Sequence, residues 1–452
     1  MSELKTIARH AGTVLVGQLA VMAFSVTDTL VAGRYSEAAL AALSVGSAVY
    51  ISVYVGLMGV LQALLPVWAE LHGAGQRPAV GRSVRQALYL CGLTAVAGMA
   101  MLLFPDGLMR WTQVPEALQG EVRRYLAVLA LALPPSLLFR MYSTLNQALG
   151  KPLLVTWLQI GSLFIKVPLS IWFAFGGLGL APQGAVGCAR ATLVVNCAML
   201  GLALWMLRTQ DLYRPYRIWK AMERPDWRQI GSFARLGVPG GLAIMVEVTS
   251  FTLMALFVAR LGAVASAGHQ IAANLTGVLY MLPLSLAIAT SSRASYWLGA
   301  GRPQMARSTI ATGLKLTVGA AFALSGMLWT ARHVLASAYA THPTVISLAS
   351  ALLAWVALYH LFDAVQAVCV FVLRCYRITL APLLVYCVLL WGVGLGGGYV
   401  LAYHGLAGHA PTATPVTFWA ASAAALAATA LVFTVLLWRV LNRPPGSARP
   451  AS

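Results

Sequence analysis

Apolar residues in this chain neither alternate with polar ones nor recur along a single helical stripe. They come in solid blocks, separated by short polar, Gly- or Pro-bearing breaks. Windows of about 19 residues place roughly twelve such blocks, near 12–33, 44–69, 85–104, 123–147, 153–175, 185–207, 234–259, 269–297, 309–329, 346–373, 380–402 and 416–438. At about 1.5 Å per residue, a block of about 20 residues crosses a hydrocarbon core of about 30 Å. Each block is therefore predicted to be a transmembrane helix. The missing alternation excludes an outer-membrane barrel, and the repeated blocks exclude one water-facing core. Several breaks carry turn chemistry: Gly73-Ala74-Gly75, Pro105-Asp106-Gly107, Gly150-Lys151-Pro152, Gly176-Gly177 and Gly299-Ala300-Gly301.

The pattern also repeats, at a spacing of about 226 residues. HGAGQRPAVGRS at 72–83 resembles LGAGRPQMARS at 298–308, and AALAALSVG at 38–46 is echoed by VASAGHQIA at 264–272. The expected architecture is all-α and integral to a membrane, with two pseudo-repeated six-helix lobes at 1–207 and 234–438. A basic connection at 208–233 joins them, and a tail at 439–452 follows. Repeated halves are how many secondary transporters are built, with the site between or within the bundles.

Composition agrees with this pattern: 60% of the 452 residues are hydrophobic and 10% are charged, against about 25% charged in soluble proteins. The formal net charge of +19 would suggest nucleic acid in a soluble protein. Here the basic residues gather in the short connections, at Arg77 to Arg85, Lys151, Arg208 to Arg235, Arg302 to Lys315, Arg374 to Arg377 and Arg439 to Arg449. With an even number of spans these all fall on one side, so both termini are expected in the cytoplasm. Membrane lipid headgroups, not nucleic acid, are the expected neighbours of the aromatic-laced cluster between Arg208 and Arg235. The six cysteines lie within or at the edges of apolar blocks without paired spacing, as reduced packing residues do. The basic head at Lys5, Arg9 and His10 leads into a retained first helix, since Asp28 interrupts the run and no convincing cleavage site follows.

Of 12 acidic residues, most lie in connections or at span ends, but Asp28, Glu247 and Asp363 sit inside apolar blocks: FSVTDTLVAG, AIMVEVTSF and LYHLFDAVQAV. A carboxylate at bilayer depth costs about 2.5–3.5 kcal/mol on insertion scales, so such residues usually face a cavity and handle ions or protons. The plainer alternative for Glu247 is a neutral acid that only ties helices together. Tyr359 and Gln366 stand four before and three after Asp363, hence on its helical face. Oxygen and amide groups in that arrangement suit either Na⁺ or a proton, and the residues do not choose between them. Zinc-protease, P-loop and nucleophile-elbow motifs are missing from the sequence. The expectation is a transporter that is not an enzyme, needs no cofactor and runs on an ion gradient.

These motifs resemble the multidrug and toxic compound extrusion (MATE) family, in particular its NorM-type bacterial members. The resemblance covers nearly the whole chain: VTDTLVAG (26–33), LAALSVG (40–46), AELHGAG (69–75), LGVPGGLAIMVEVTSF (236–251), GHQIAAN (268–274) and LYHLFDAVQ (358–366). VLRCYR (372–377) stands where the family usually has a Leu-Arg-Gly stretch. The resemblance implies a monomeric antiporter of the bacterial inner membrane, with two lobes around a central cleft, exporting amphipathic, mostly cationic or aromatic drugs against Na⁺ or H⁺. It implies cation binding at Glu247, Asp363 and Tyr359, including any Na⁺ at the two acids. It further implies proton or substrate contact at Asp28, Gln270 and Asn274, while His269 of the same motif is expected to pack. Two departures stand out: Lys166 and Arg190 occupy positions where the family usually has neutral residues. Either could pair with Asp28 and hold it ionised, or snorkel to an interface. That basic pair is also the sole support for an alternative, a flippase for a lipid-linked anionic substrate.

Overall fold

Among the described residues, twelve helices are long and apolar enough to cross a membrane, and no strand forms beyond an isolated bridge between Gly177 and Leu180. The computed structural model describes residues 3–105, 107, 116–177, 179–405 and 410–442. Asp106 of the expected 105–107 turn and all but the first four residues of the 439–452 tail lie outside these. In order the helices are α1 (Glu3–Tyr35), α2 (Glu37–Gln62), α3 (Leu65–Gly73), α4 (Arg77–Leu103), α5 (Glu116–Ala148), α6 (Leu153–Phe175) and α7 (Gly184–Thr209). Then follow α8 (Trp227–Ala259), α9 (Ala263–Gly299), α10 (Pro303–Tyr339), α11 (Pro343–Cys375), α12 (Leu380–Tyr403) and α13 (Pro415–Leu441).

Together α2 and α3 make one span, interrupted where Pro66 falls in the first turn of α3; its ring has no N–H to continue the ladder. Most helices outrun the apolar windows. The first, expected at 12–33, begins at Glu3, because the helix continues through Lys5 and Arg9 while hydropathy reports only the part at hydrocarbon depth. A difference of another kind lies in α12, where Cys387–Gly396 is π-helical.

Helix α6 shows how lipid selects the faces. It buries Gln159, Ser162, Lys166 and Ser170 and exposes Trp157, Phe164, Ile165 and Ile171. The polar residues recur at helical spacing on the inner face, the reverse of a water-soluble helix.

The chain divides into two compact units. One is Thr13–Gly241; the other is Leu242–Ser452 together with Met1–Gly12. In the first, α5 is the hub, packed on α2, α3, α4 and α7, with α6 on α7. In the second, α11 is the hub, packed on α9, α10 and α13, over a core that includes Met254, Val258, Leu353, Val356, Phe418 and Trp419. These bounds differ from 1–207 and 234–438 for local reasons. The segment after α7 folds into a 3₁₀ turn, Asp211–Tyr216, and docks on α4. Buried Arg85 donates to Arg217 O (2.6 Å) and to Glu223 Oε1 (2.7 Å), while Gln86 donates to Arg224 O and accepts from Asp226 N. Gly81 is required there, since a Cβ would collide with the carbonyl of Tyr216. At the other boundary, Arg293 grips Glu3 with both edge nitrogens, at 3.1 and 2.9 Å, which ties the first turn of α1 into the second unit.

The internal repeat is legible in the helix bounds. Glu37–Gly73 and Ala263–Gly299 are displaced by 226 residues at both ends, and Glu116–Ala148 and Pro343–Cys375 by 227.

Candidate ion-coupling site

In the second unit, α8 carries Glu247 and α11 carries Asp363 with Gln366 one turn later. Gln366 is fully buried, and its Nε2 donates to Asp363 Oδ1 (3.0 Å) and to Glu247 Oε1 (3.2 Å). Its own carbonyl accepts the hydroxyl of Tyr386 from α12. Because a side-chain amide has one acceptor end and one donor end, the Tyr386 hydroxyl orients the NH₂ toward both acids. Asp363 is sealed (2% exposed) and Glu247 partly buried. Trp391, also on α12, donates from Nε1 to Val246 O at 3.1 Å and so fixes the backbone beside Glu247.

Tyr359 lies buried one turn before Asp363, its ring edge-on to Phe251 and Trp419 at 5.9 and 6.0 Å. Tyr280 of α9 is within electrostatic reach of both carboxyls. Buried Arg374 is within reach of Glu247, its guanidinium 4.5 Å over the Phe371 ring. Two carboxylates sharing one amide repel each other, and a proton or metal cation entering between them relieves that repulsion.

Other expected site residues lie elsewhere. Gln270 and Asn274 are exposed and bond to each other at 3.3 Å. His269 is buried and accepts from Trp419 Nε1 at 3.3 Å, a packing arrangement. Asp28, in the first unit, meets Lys166: Nζ to Oδ1 is 2.8 Å, and Lys166 also donates to Thr192 Oγ1 (2.6 Å) and Cys188 O (3.1 Å). Ser170 donates to the same Asp28 oxygen at 3.0 Å. Arg190 is not a charge partner. It is exposed, with no ion pair among the described residues, because Lys166 is the cation that reaches Asp28 from the facing helix.

Sequence reasoning found Gln366 by its spacing but missed Tyr386, Tyr280 and Arg374. A tyrosine in an apolar span carries no local signal, and Arg374 sits at a span end where a basic residue is ordinary.

Two repeated helical units, one of them holding buried acids, define a multi-pass membrane protein, and comparison with known proteins gives the family. The MatE family model matches residues 14–172 and 239–400. A probable multidrug resistance protein NorM of Aromatoleum aromaticum is 39% identical over 435 residues, covering 96% of this chain and 94% of its own length. The multidrug resistance protein PmpM of Pseudomonas aeruginosa is 32% identical over 402 residues, covering 88% and 84%. Among solved structures, the eukaryotic MATE transporter AtDTX14 superposes with a TM-score of 0.85 at 19% identity, over 98% of this chain and 96% of that one. The Vibrio cholerae MATE transporter VcmN in its bent form gives 0.83 at 16%, over 97% of each. The chain belongs to the multidrug and toxic compound extrusion (MATE) family.

Proposed function

We propose that this protein is a secondary active multidrug exporter of the bacterial inner membrane, moving amphipathic, mostly cationic or aromatic compounds outward against entry of Na⁺ or H⁺. The observation that carries the reading is the shared Gln366 amide, which gathers Glu247 and Asp363 at one point deep in the second unit. An ion arriving there displaces the amide from between the two acids, and ion and drug binding oppose each other by linkage. Each net charge carried inward down the membrane potential, over and above the charge of the exported compound, supplies about 2.3 kcal/mol per 100 mV, enough for a gradient of roughly fifty-fold. The names of the relatives, multidrug resistance proteins, support multidrug export. Asp28 is given no coupling role, because it already holds an ammonium where a proton or cation would bind. The flippase alternative loses its support, since Lys166 is neutralised and Arg190 stands apart.

The deciding measurement uses everted vesicles, loaded in turn with Na⁺ or with acid. Accumulation of a fluorescent cation in the lumen is expected as one of these ions leaves. No accumulation under either gradient would reject ion-coupled export.

A further inference from the structure

Arg140, on α5 in the first unit, is a cation that the ion-coupled cycle leaves unused. It is buried (8% exposed) and makes no ion pair among the described residues. Its Nη2 meets only the thioether sulfur of Met58 on α2, a weak acceptor, and its Nε has no hydrogen-bond partner. These two nitrogens form the edge that presents parallel donors to a carboxylate. Arg293 uses the same edge on Glu3, through Nε at 3.1 Å and Nη2 at 2.9 Å. A guanidinium stays charged in proteins, and a charge at membrane depth normally pairs or serves a ligand. Lys166 in the same unit has its carboxylate partner; among the described residues Arg140 has none.

The neighbours extend the argument. Along α2, Tyr50, Tyr54, Met58 and Gln62 recur every fourth residue, so they share one face. Tyr54 is within electrostatic reach of Arg140, and Tyr50 bonds to Ser136, one turn before Arg140. Ser136 also accepts Nδ2 of Asn196 from α7 at 2.6 Å. Buried Gln62, one turn past Met58, has its Nε2 unpartnered as well. Under the repeat displacement, Tyr54 corresponds to Tyr280 and Ser136 to Asp363. The helix faces that hold a tyrosine and an acid in the second unit therefore hold a tyrosine and a serine here, with a guanidinium one turn on. The sign of the charge is reversed.

We propose that Arg140 sets specificity among the exported compounds, its guanidinium binding the carboxylate of those that carry one. The site refines the export reading and rests on it for the occupant.

The test is equilibrium binding to the purified full chain in phosphatidylcholine proteoliposomes, with rhodamine B, which carries a free carboxylate, and its ethyl ester, which does not. In Arg140→Gln the affinity ratio of acid to ester should fall about tenfold or more, the worth of a charge-assisted fork. Arg140→Lys, which keeps the charge without the fork, should give an intermediate ratio. An unchanged ratio in folded Arg140→Gln overturns the proposal, as does wild-type protein that binds the ester but not the acid. So does phosphatidylglycerol that displaces rhodamine B from wild type but not from the variant, since the site would then belong to a lipid headgroup. An Arg140-dependent ratio in protein that moves neither dye under any ion gradient upholds the carboxylate site while rejecting export.

Discussion

Replacing Lys166 with methionine isolates the ion pair in the first unit. Lys166 is completely buried and uses all three ammonium donors, on Asp28 at 2.8 Å, Thr192 at 2.6 Å and Cys188 O at 3.1 Å. Methionine fills nearly the same volume but takes the ammonium from Asp28, leaving it the Ser170 hydroxyl and the weak Cys188 thiol. Breaking a buried pair by removing one member costs about 3–5 kcal/mol, whereas replacing both members with neutral groups is often nearly neutral. Lys166→Met should therefore lower the apparent melting temperature in detergent by roughly 5–10 °C. The double variant Asp28→Asn/Lys166→Met should recover most of that loss. The assay is size-exclusion chromatography of the fluorescently tagged protein after stepwise heating, with all four corners of the double-mutant cycle. Equal stability of Lys166→Met and wild type would refute the reasoning, and so would a double variant no better than the single one. The double variant should still export under the coupling gradient, because the pair is assigned no part in ion handling.

Asp363→Asn should cut gradient-driven export below about a tenth while leaving the protein monodisperse, since asparagine keeps an acceptor for Gln366 at 3.0 Å; undiminished transport in vesicles would reject the ion site. The docked segment after α7 should respond to acid. The Arg85 guanidinium, by its hydrogen bond, holds the Glu223 carboxyl below its ordinary value of 4.5. Docking is thus favoured above that value and lost as pH falls through the depressed one, with no further gain at higher pH. Anisotropy of a dye attached to Lys220→Cys reads this, and Glu223→Gln should mobilise the segment already at neutral pH. Arg293→Met should loosen the first turn of α1 by about 1 kcal/mol or less, seen as faster amide exchange over residues 3–7, with no change expected in α13.

Much of the fold was legible because lipid removes the ambiguity of soluble proteins: a long apolar block has to close its hydrogen bonds internally, and a helix does so. Twelve blocks became twelve spans, with ends misplaced wherever a helix ran on into polar residues such as Lys5 and Arg9. The acids Glu247 and Asp363 were visible because charge in an apolar run is anomalous, and Gln366 because three residues is nearly one turn. Tyr386 and Tyr280 were invisible for the opposite reason, their surroundings being ordinary and their partners far along the chain. Arg140 lay unremarked in LPPSLLFRMYS, since only packing reveals that its Nε lacks a hydrogen-bond partner among the described residues. The docking of the polar connection rests on Arg85, whose burial no local pattern announces.

The widened turns of α12 set a condition on the acids beside them. Tyr386 enters the Cys387–Gly396 stretch and Trp391 lies five residues on; the first steadies the Gln366 amide and the second the carbonyl of Val246. On an ordinary α-helix, residues five apart point about 140° away from each other, whereas bonding between residues five apart brings them near one line. Were the stretch to rewind into regular α geometry, one clasp or the other would open, and the shared amide would lose its fixed aim or Glu247 its braced backbone.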